Sequence, residues 1–557
     1  MKLFLLLALA YPDASATSYF MSATGNDGNN GLSAGVPWLS PNHALNCGDT
    51  ITAAASTAYS ATNFGSAKWG TVTCAGNNNV AWVQCAAFDG CKITVSANFG
   101  MFVSKSYWGV QGFEVAETGN GGLCFGVIPA GGSTIHHIIL ANNICNGGAN
   151  GFASSPQNTT AGVDYLVLLG NIAWNAAQST TLCNSGITNY EPIKSDSLSG
   201  THNYIAGNFL FDNSSPTNCL GGSATFDGNG IALDDLGNAQ QSGTPYDQLT
   251  VVENNISVWN GGYGLGVTGN GNPSAPVIFR NNTSVHNWTS VNSSATTCGD
   301  VGFLASSFTT AYGNLIQTAG ATGCSGPTAL YGFAVNGANG TDSVYGNFIY
   351  SASGSNTTSV SSPGFSYGTN LTGANPLLAN PVDPGQPNCT GKTSTVDCMS
   401  AVIANFRPAL AAAQPYGYQQ PGVSPVANGL YPQWLCNVTL PAGIVTPGCL
   451  SISYSGSPPG APSGAVQIKP QAVPTSSTAV TGYDAYLKMI TVTNTTAGAL
   501  TFTLADGQAA PVAVLQAVPI AANTTYVISF PSLYWCPGGF TVAASGAGLR
   551  FYATWTQ

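Results

Sequence analysis

One short phrase recurs through the middle of the chain and restricts its fold more than any other feature. It reads "ILANNIC" at Ile139, "LLGNIAW" at Leu168, "IAGNFLF" at Ile205, "VVENNIS" at Val251, "IFRNNTS" at Ile278, "TAYGNLI" at Thr310 and "SVYGNFI" at Ser343. Aligned on the second or only asparagine, the anchors are Asn143, Asn171, Asn208, Asn255, Asn282, Asn314 and Asn347, spaced by 27 to 47 residues. Each phrase is a short β-type run, an Asn, and another short β-type run. Asn is the non-glycine residue that best tolerates the left-handed backbone of a corner, and stacked corner asparagines can hydrogen-bond from one coil to the next.

A second phrase falls between these corners, around Gly151, Gly186, Gly230, Gly264, Gly302 and Gly332, as in "NGIALDD" and "VGFLASS". A glycine is followed by apolar residues at every second position, the period of a strand with one buried face. Coils of about thirty residues with three short strands cannot enclose a core singly, so they must stack into a solenoid. The expectation is an all-β chain with a parallel β-helix body. Its 23 Tyr, 23 Phe and 10 Trp supply a core that a disordered chain would lack.

The opening "SYFMSATGNDGNNGLSAGVPW", then "NHALN" and "GDTI", resembles the N-terminal capping segment of right-handed parallel β-helix proteins of the pectin-lyase-like superfamily. The Asn corners and the late "NPLLANPVDP" resemble the body and exit of that fold. The resemblance covers Ser18 to Tyr418 and implies a right-handed β-helix; the superfamily spans lyases, hydrolases, epimerases, tailspikes and adhesins. The domain reading is a signal peptide over 1–16, a capped β-helix over 17–420, a Pro/Gly-rich wrap and linker over 421–470, and a small β-sandwich over 471–557. The last alternates apolar and polar residues between turns and resembles accessory modules of exported or phage proteins.

The apolar run Leu3–Tyr11 before a small-x-small site at Ala14 and Ala16 predicts export and cleavage after Ala16. No later run approaches the ~20 apolar residues of a membrane span. Fifteen cysteines in an exported chain point to disulfides. Those close in sequence are Cys85/Cys91, Cys124/Cys145, Cys298/Cys324, Cys389/Cys398 and Cys436/Cys449, with connectivity open. The net charge of −10 argues against nucleic acid, which demands basic surface.

Only 6% of residues are charged, yet Glu191, Asp196, Asp212, Asp227, Asp234, Asp235, Asp247 and Glu253 fall within one short stretch with Lys194. If Gly186 and Gly230 are equivalent on successive coils, Tyr190 stacks beside Asp234 and Glu191 beside Asp235, about 4.8 Å apart. Thr268, Gly269, Ser306 and Ser307 would continue an open polar trough. Carboxylates this close raise the pKa of at least one unless a cation intervenes. In one outcome Glu191, Asp234 and Asp235 act as proton donor and base or nucleophile on a glycosidic bond, an arrangement similar to polygalacturonase-like β-helices. In the other, Asp196, Asp227, Asp234 and Asp235 bind Ca²⁺, which engages a uronate while Lys194 removes a proton, as in pectate-lyase-like enzymes. The Gly-His-Gly and Arg-x-Lys signatures of the hydrolases are absent. Tyr190, Asn229 and Tyr263 are the expected substrate-binding residues. Glu253, His202 and the pair His136/His137 are expected to be structural, the pair for want of an acid partner nearby. The expected partner is thus a polysaccharide, cleaved by a secreted lyase or hydrolase. The alternative is a non-catalytic glycan-binding spike or adhesin whose C-terminal domain drives homo-oligomer assembly or attachment.

Overall fold

The computed structural model describes residues 16–419 except 75–78, 97–98, 120, 180–183, 199, 216–227, 239, 241–242, 270–275, 290–297, 319–329, 337–341, 352–365 and 369, together with 431–440 and the strands between 465 and 556. Two compact units emerge, one of Met1–Ser424 with Pro432–Pro447, the other of Pro425–Tyr431 with Gly448–Gln557.

In the first unit the chain winds through three long parallel sheets of 12, 11 and 8 strands, here A, B and C. One coil shows the pattern: Thr201–Ala206 in sheet A, Phe209–Phe211 in sheet B, Ile231–Asp234 in sheet C, and back to sheet A at Leu249–Glu253. Successive coils place equivalent strands side by side in every sheet, and the crossover rule gives such a winding its right hand. This is a right-handed parallel β-helix. Alternate residues such as Ile187, Ile231, Leu233, Leu265, Val267, Val301 and Phe303 point inward and are fully buried in one continuous core.

The A-to-B corner uses two residues where the sequence suggested one. The residue before each anchor takes the left-handed backbone: Asn142, Gly170, Gly207, Asn254, Asn281, Gly313 and Gly346, with φ from 50 to 68°. The anchor itself forms the ladder. Asn208 Nδ2 donates to Leu168 O and Asn255 Oδ1, while its Oδ1 accepts from Asn171 N and Nδ2, so its amide is fully satisfied although it is fully buried. The ladder runs unbroken from Asn143 to Asn370. A second, shorter ladder beyond sheet B links Asn213, Asn260 and Asn287 and ends on Asp300.

The segment after the last coil folds back over sheet B. Helices Thr395–Cys398 and Ser400–Asn405 bring Met399, Ile403 and Phe406 onto Ile172, Phe209 and Ile256, covering the outward apolar row of that sheet. Cys85–Cys91, Cys124–Cys145 and Cys389–Cys398 are bonded, as is Cys47–Cys74; Cys298 and Cys436 are also in disulfides. Among the described residues no helix is long and apolar enough to cross a membrane.

The second unit is antiparallel, with a five-stranded and a four-stranded sheet, the makings of a β-sandwich. Among its described residues Val492, Phe502, Leu504, Val542 and Ala544 are buried.

Candidate functional site

The strands Ile187–Tyr190 and Ile231–Asp234 are neighbours in sheet C in the register expected from their glycines, with Tyr190 opposite Asp234. The next residues turn out of the strands in left-handed conformation, Glu191 at φ 42° and Asp235 at φ 52°. That turn redirects both side chains. Glu191 Oε1 and Asp235 Oδ2 each accept from the backbone N–H of Gln240 at 2.9 Å, and both residues are fully buried. The two carboxylates are therefore side by side, as expected, but they hold the Gln240 amide and do not face solvent.

Asp234 remains half-buried at the surface. Burial, and then the charge of Asp235, push its carboxyl up to about 6 against the pull of the Asp235 amide. Tyr190, also half-buried, sends its hydroxyl to Gln240 Oε1 at 3.3 Å. Outward of these, Ala232 is half-buried and the facing row continues with Gly266 and Gly302. The expected trough closes there. A Cβ at Gly302 would meet the Tyr263 ring at 2.7 Å, and Gly269, Ser306 and Ser307 are buried; only Thr268 stays half-open.

The other expected site residues disperse. Lys194 pairs with Asp247 at 2.5 Å on the exposed edge, because Asp247 of the following coil reaches it there. Tyr263 is buried edge-on against Trp288, so its ring offers no face to a sugar. Asn229 is buried and accepts from Tyr263 N at 2.7 Å, so its side chain fixes the backbone. Asp196 accepts from Tyr165 Oη at 2.9 Å, in a different cluster from Asp234 and Asp235. Asp227 lies outside the described residues. Asp196, Asp234 and Asp235 thus do not form the convergent oxygen cage that Ca²⁺ requires; among the described residues no three His, Cys, Asp or Glu side chains are grouped to hold a metal. Glu253 is buried against Arg280 and Tyr204, a structural ion pair.

The starts of neighbouring sheet A strands carry a second cluster. Tyr107, His137, Tyr165 and His202, one per coil, stack ring on ring at 5.1, 4.5 and 3.9 Å. Trp434 packs edge-on against His137 at 4.6 Å. An acid of the adjacent coil anchors His202: Asp164 Oδ1 meets His202 Nδ1 at 2.9 Å and Tyr246 Oη at 2.7 Å, while Oδ2 accepts from Ser195 N and Oγ. His202 Nε2 faces Leu198 O at 2.9 Å, so both ring nitrogens face acceptors, the pattern of an imidazolium. Burial opposes that charge, but the Asp164 bond and charge raise the His202 pKa, and Asp164 is lowered in turn. With Ser195 and His202 both bound to the acid, no Ser–His relay exists; this is a buried latch. A signal for it was present: each ring lies six residues before an Asn anchor or its equivalent at Phe113.

Compared with known proteins, the chain matches no protein-family model and no curated protein. Among solved structures it is similar to a rhamnogalacturonan lyase, with 15% identity, TM-score 0.34, and coverage of 56% of this chain and 84% of that one. It is similar to a double mutant of the tailspike protein of E. coli bacteriophage HK620 in complex with a pentasaccharide, with 11% identity, TM-score 0.28, and coverage of 93% and 72%. A PL6-family polysaccharide lyase from Pseudopedobacter saltans gives 10% identity, TM-score 0.23, and coverage of 63% and 94%. With all three TM-scores below 0.5, function is read from this chain's own side chains.

Proposed function

We propose that the protein is an exported carbohydrate-active enzyme that cleaves a polysaccharide bound along the edge of sheet C formed by the C-terminal ends of its strands, at Tyr190 and Asp234. The observation that carries this reading is Asp234: a half-buried carboxyl, raised to about 6, beside a half-buried tyrosine on the adjacent strand. A carboxylic acid that keeps its proton up to about pH 6 is suited to donate it to a glycosidic oxygen in that range, and an aromatic ring beside it suits a sugar face. Export agrees with the disulfides of the first unit.

One observation favours the non-catalytic glycan-binding reading. Hydrolysis needs a second carboxylate as base or nucleophile, and both near candidates, Glu191 and Asp235, are directed onto the Gln240 amide. The deciding experiment incubates the purified chain with neutral and uronate polysaccharides, with and without Ca²⁺ or chelator. Reducing ends without ultraviolet absorbance identify a hydrolase, reducing ends with it a lyase. Asp234→Asn is expected to lower the rate by ~10²–10⁴. Binding without any cleavage across the panel supports the alternative and sinks the enzymatic reading.

A further inference from the structure

A cleft of about 340 Å³ opens on another face of the first unit, between the outward face of sheet B and the segment that folds back over it. Its floor is built from Lys92, Glu114, Ile144, Asn146 and Trp174, on four neighbouring strands. Its far wall is the segment 386–390, tied by the Cys389–Cys398 disulfide to the first helix of the covering layer. The volume falls at the lower end of the ~300–1,000 Å³ range of small-molecule sites, too small for a folded partner.

The lining specifies the ligand's chemistry. Lys92 Nζ bridges Glu114 and Asp89, 3.3 Å from Asp89 Oδ1, so one cation serves two carboxylates. Burial and the neighbouring Glu114 push Asp89 up to about 6 against the pull of Lys92. An anionic ligand would meet that excess of acid, and a cationic one would have to displace Lys92 from the two carboxylates it already holds. The amides of Asn146 and Gln386 have no protein hydrogen-bond partner among the described residues and offer donors and acceptors together. Trp174 is half-buried, and its Nε1 donates to Asp212 Oδ2 at 3.1 Å, which pins the indole. Carboxylates that accept hydroxyls, amides that do both, and a fixed aromatic ring match a polyhydroxylated ring with one apolar face.

We infer that this cleft over sheet B is a second binding site, which takes a neutral saccharide of one or two rings. It stands independently of any cleavage at Asp234, and on a polymeric ligand it would add a second point of attachment.

The test is isothermal titration of the full chain with neutral mono- and disaccharides of the gluco, manno, galacto and rhamno series, with glucuronate and glucosamine as charged comparators. The expected result is binding of at least one neutral sugar that Asn146→Ala and Trp174→Ala each weaken tenfold or more. Because Trp174 also packs against the covering layer, Gln386→Ala provides a variant at the exposed rim, expected to weaken binding threefold or more. Asp234→Asn is expected to leave this affinity unchanged, which separates the cleft from the edge of sheet C. No neutral sugar bound at millimolar concentration, preference for either charged comparator, or affinities indifferent to both Asn146→Ala and Gln386→Ala would overturn the inference.

Discussion

At the residue scale, the two Asn ladders separate jobs that the sequence merges. Left-handed geometry belongs to the residue before the anchor, which is why the phrase reads Asn-Asn or Gly-Asn and not Asn alone. The anchor's amide carries the bonding, so its loss orphans several buried groups at once. Asn255→Ala removes the partner of Asn208 N and Nδ2 and of Ile205 O. At ~1–3 kcal/mol for each group left unsatisfied, we expect a loss of at least ~3 kcal/mol, read as a shift of the denaturant midpoint. Asp300 ends the short ladder differently. Burial pushes its carboxyl up to about 7, although Asn287 and Ser284 hydrogen bonds pull it down. The folded state then holds a proton that the unfolded chain, titrating near 3.9, has released. Stability from this group is complete below pH ~4 and is lost as pH rises toward 7, by on the order of 4 kcal/mol. Asp300→Asn keeps the accepting oxygen and is expected to abolish this group's share of the decline between pH 4 and 8, measured as the difference between wild-type and variant unfolding curves.

At the scale of elements, the pairing of Ile187–Tyr190 with Ile231–Asp234 was legible because repeat spacing and strand period both point to it. The orientation of the next residues was not. A left-handed φ at Glu191 and at Asp235 aims their carboxylates at Gln240, and nothing in the order of residues announces that turn. The ring stack shows the converse case, in which alignment on the Asn anchors already puts Tyr107, His137, Tyr165 and His202 in one column. Its acid is not legible in the sequence, because Asp164 lies 38 residues from His202 along the chain and one coil away in space. His202→Ala leaves Asp164 buried without its cation and is expected to cost ~3–5 kcal/mol. His202 titrates above its ordinary value when folded, so its contribution is full below about pH 6.5 and disappears as pH rises through the folded pKa. The penalty of the variant should therefore shrink at alkaline pH, which urea titrations at pH 6 and 9 will read.

At the scale of the whole molecule, the solenoid presents different chemistry on different faces. Sheet C offers Tyr190 and Asp234, sheet B a cleft roofed by the covering segment, and the starts of the sheet A strands a buried latch of rings and ions. Only a protonated Asp234 can serve as donor, and its carboxyl loses the proton at about pH 6. Cleavage at this edge should accordingly fall as pH rises through 6, and a pH–rate profile flat from 5 to 8 would count against Asp234 as the acid.

The order of amino acids determined the solenoid itself, because a repeated corner, a strand period of two and an apolar inward row are local properties that every coil restates. It also determined which strands are neighbours. The tertiary structure alone decided which acids reach water, since one backbone angle per turn points Glu191 and Asp235 inward while Asp234 stays at the surface. It also decided which residues share a cleft: the segment 386–390 comes to lie over Lys92, Glu114 and Trp174 only because the exit of the solenoid must cover the apolar row of sheet B.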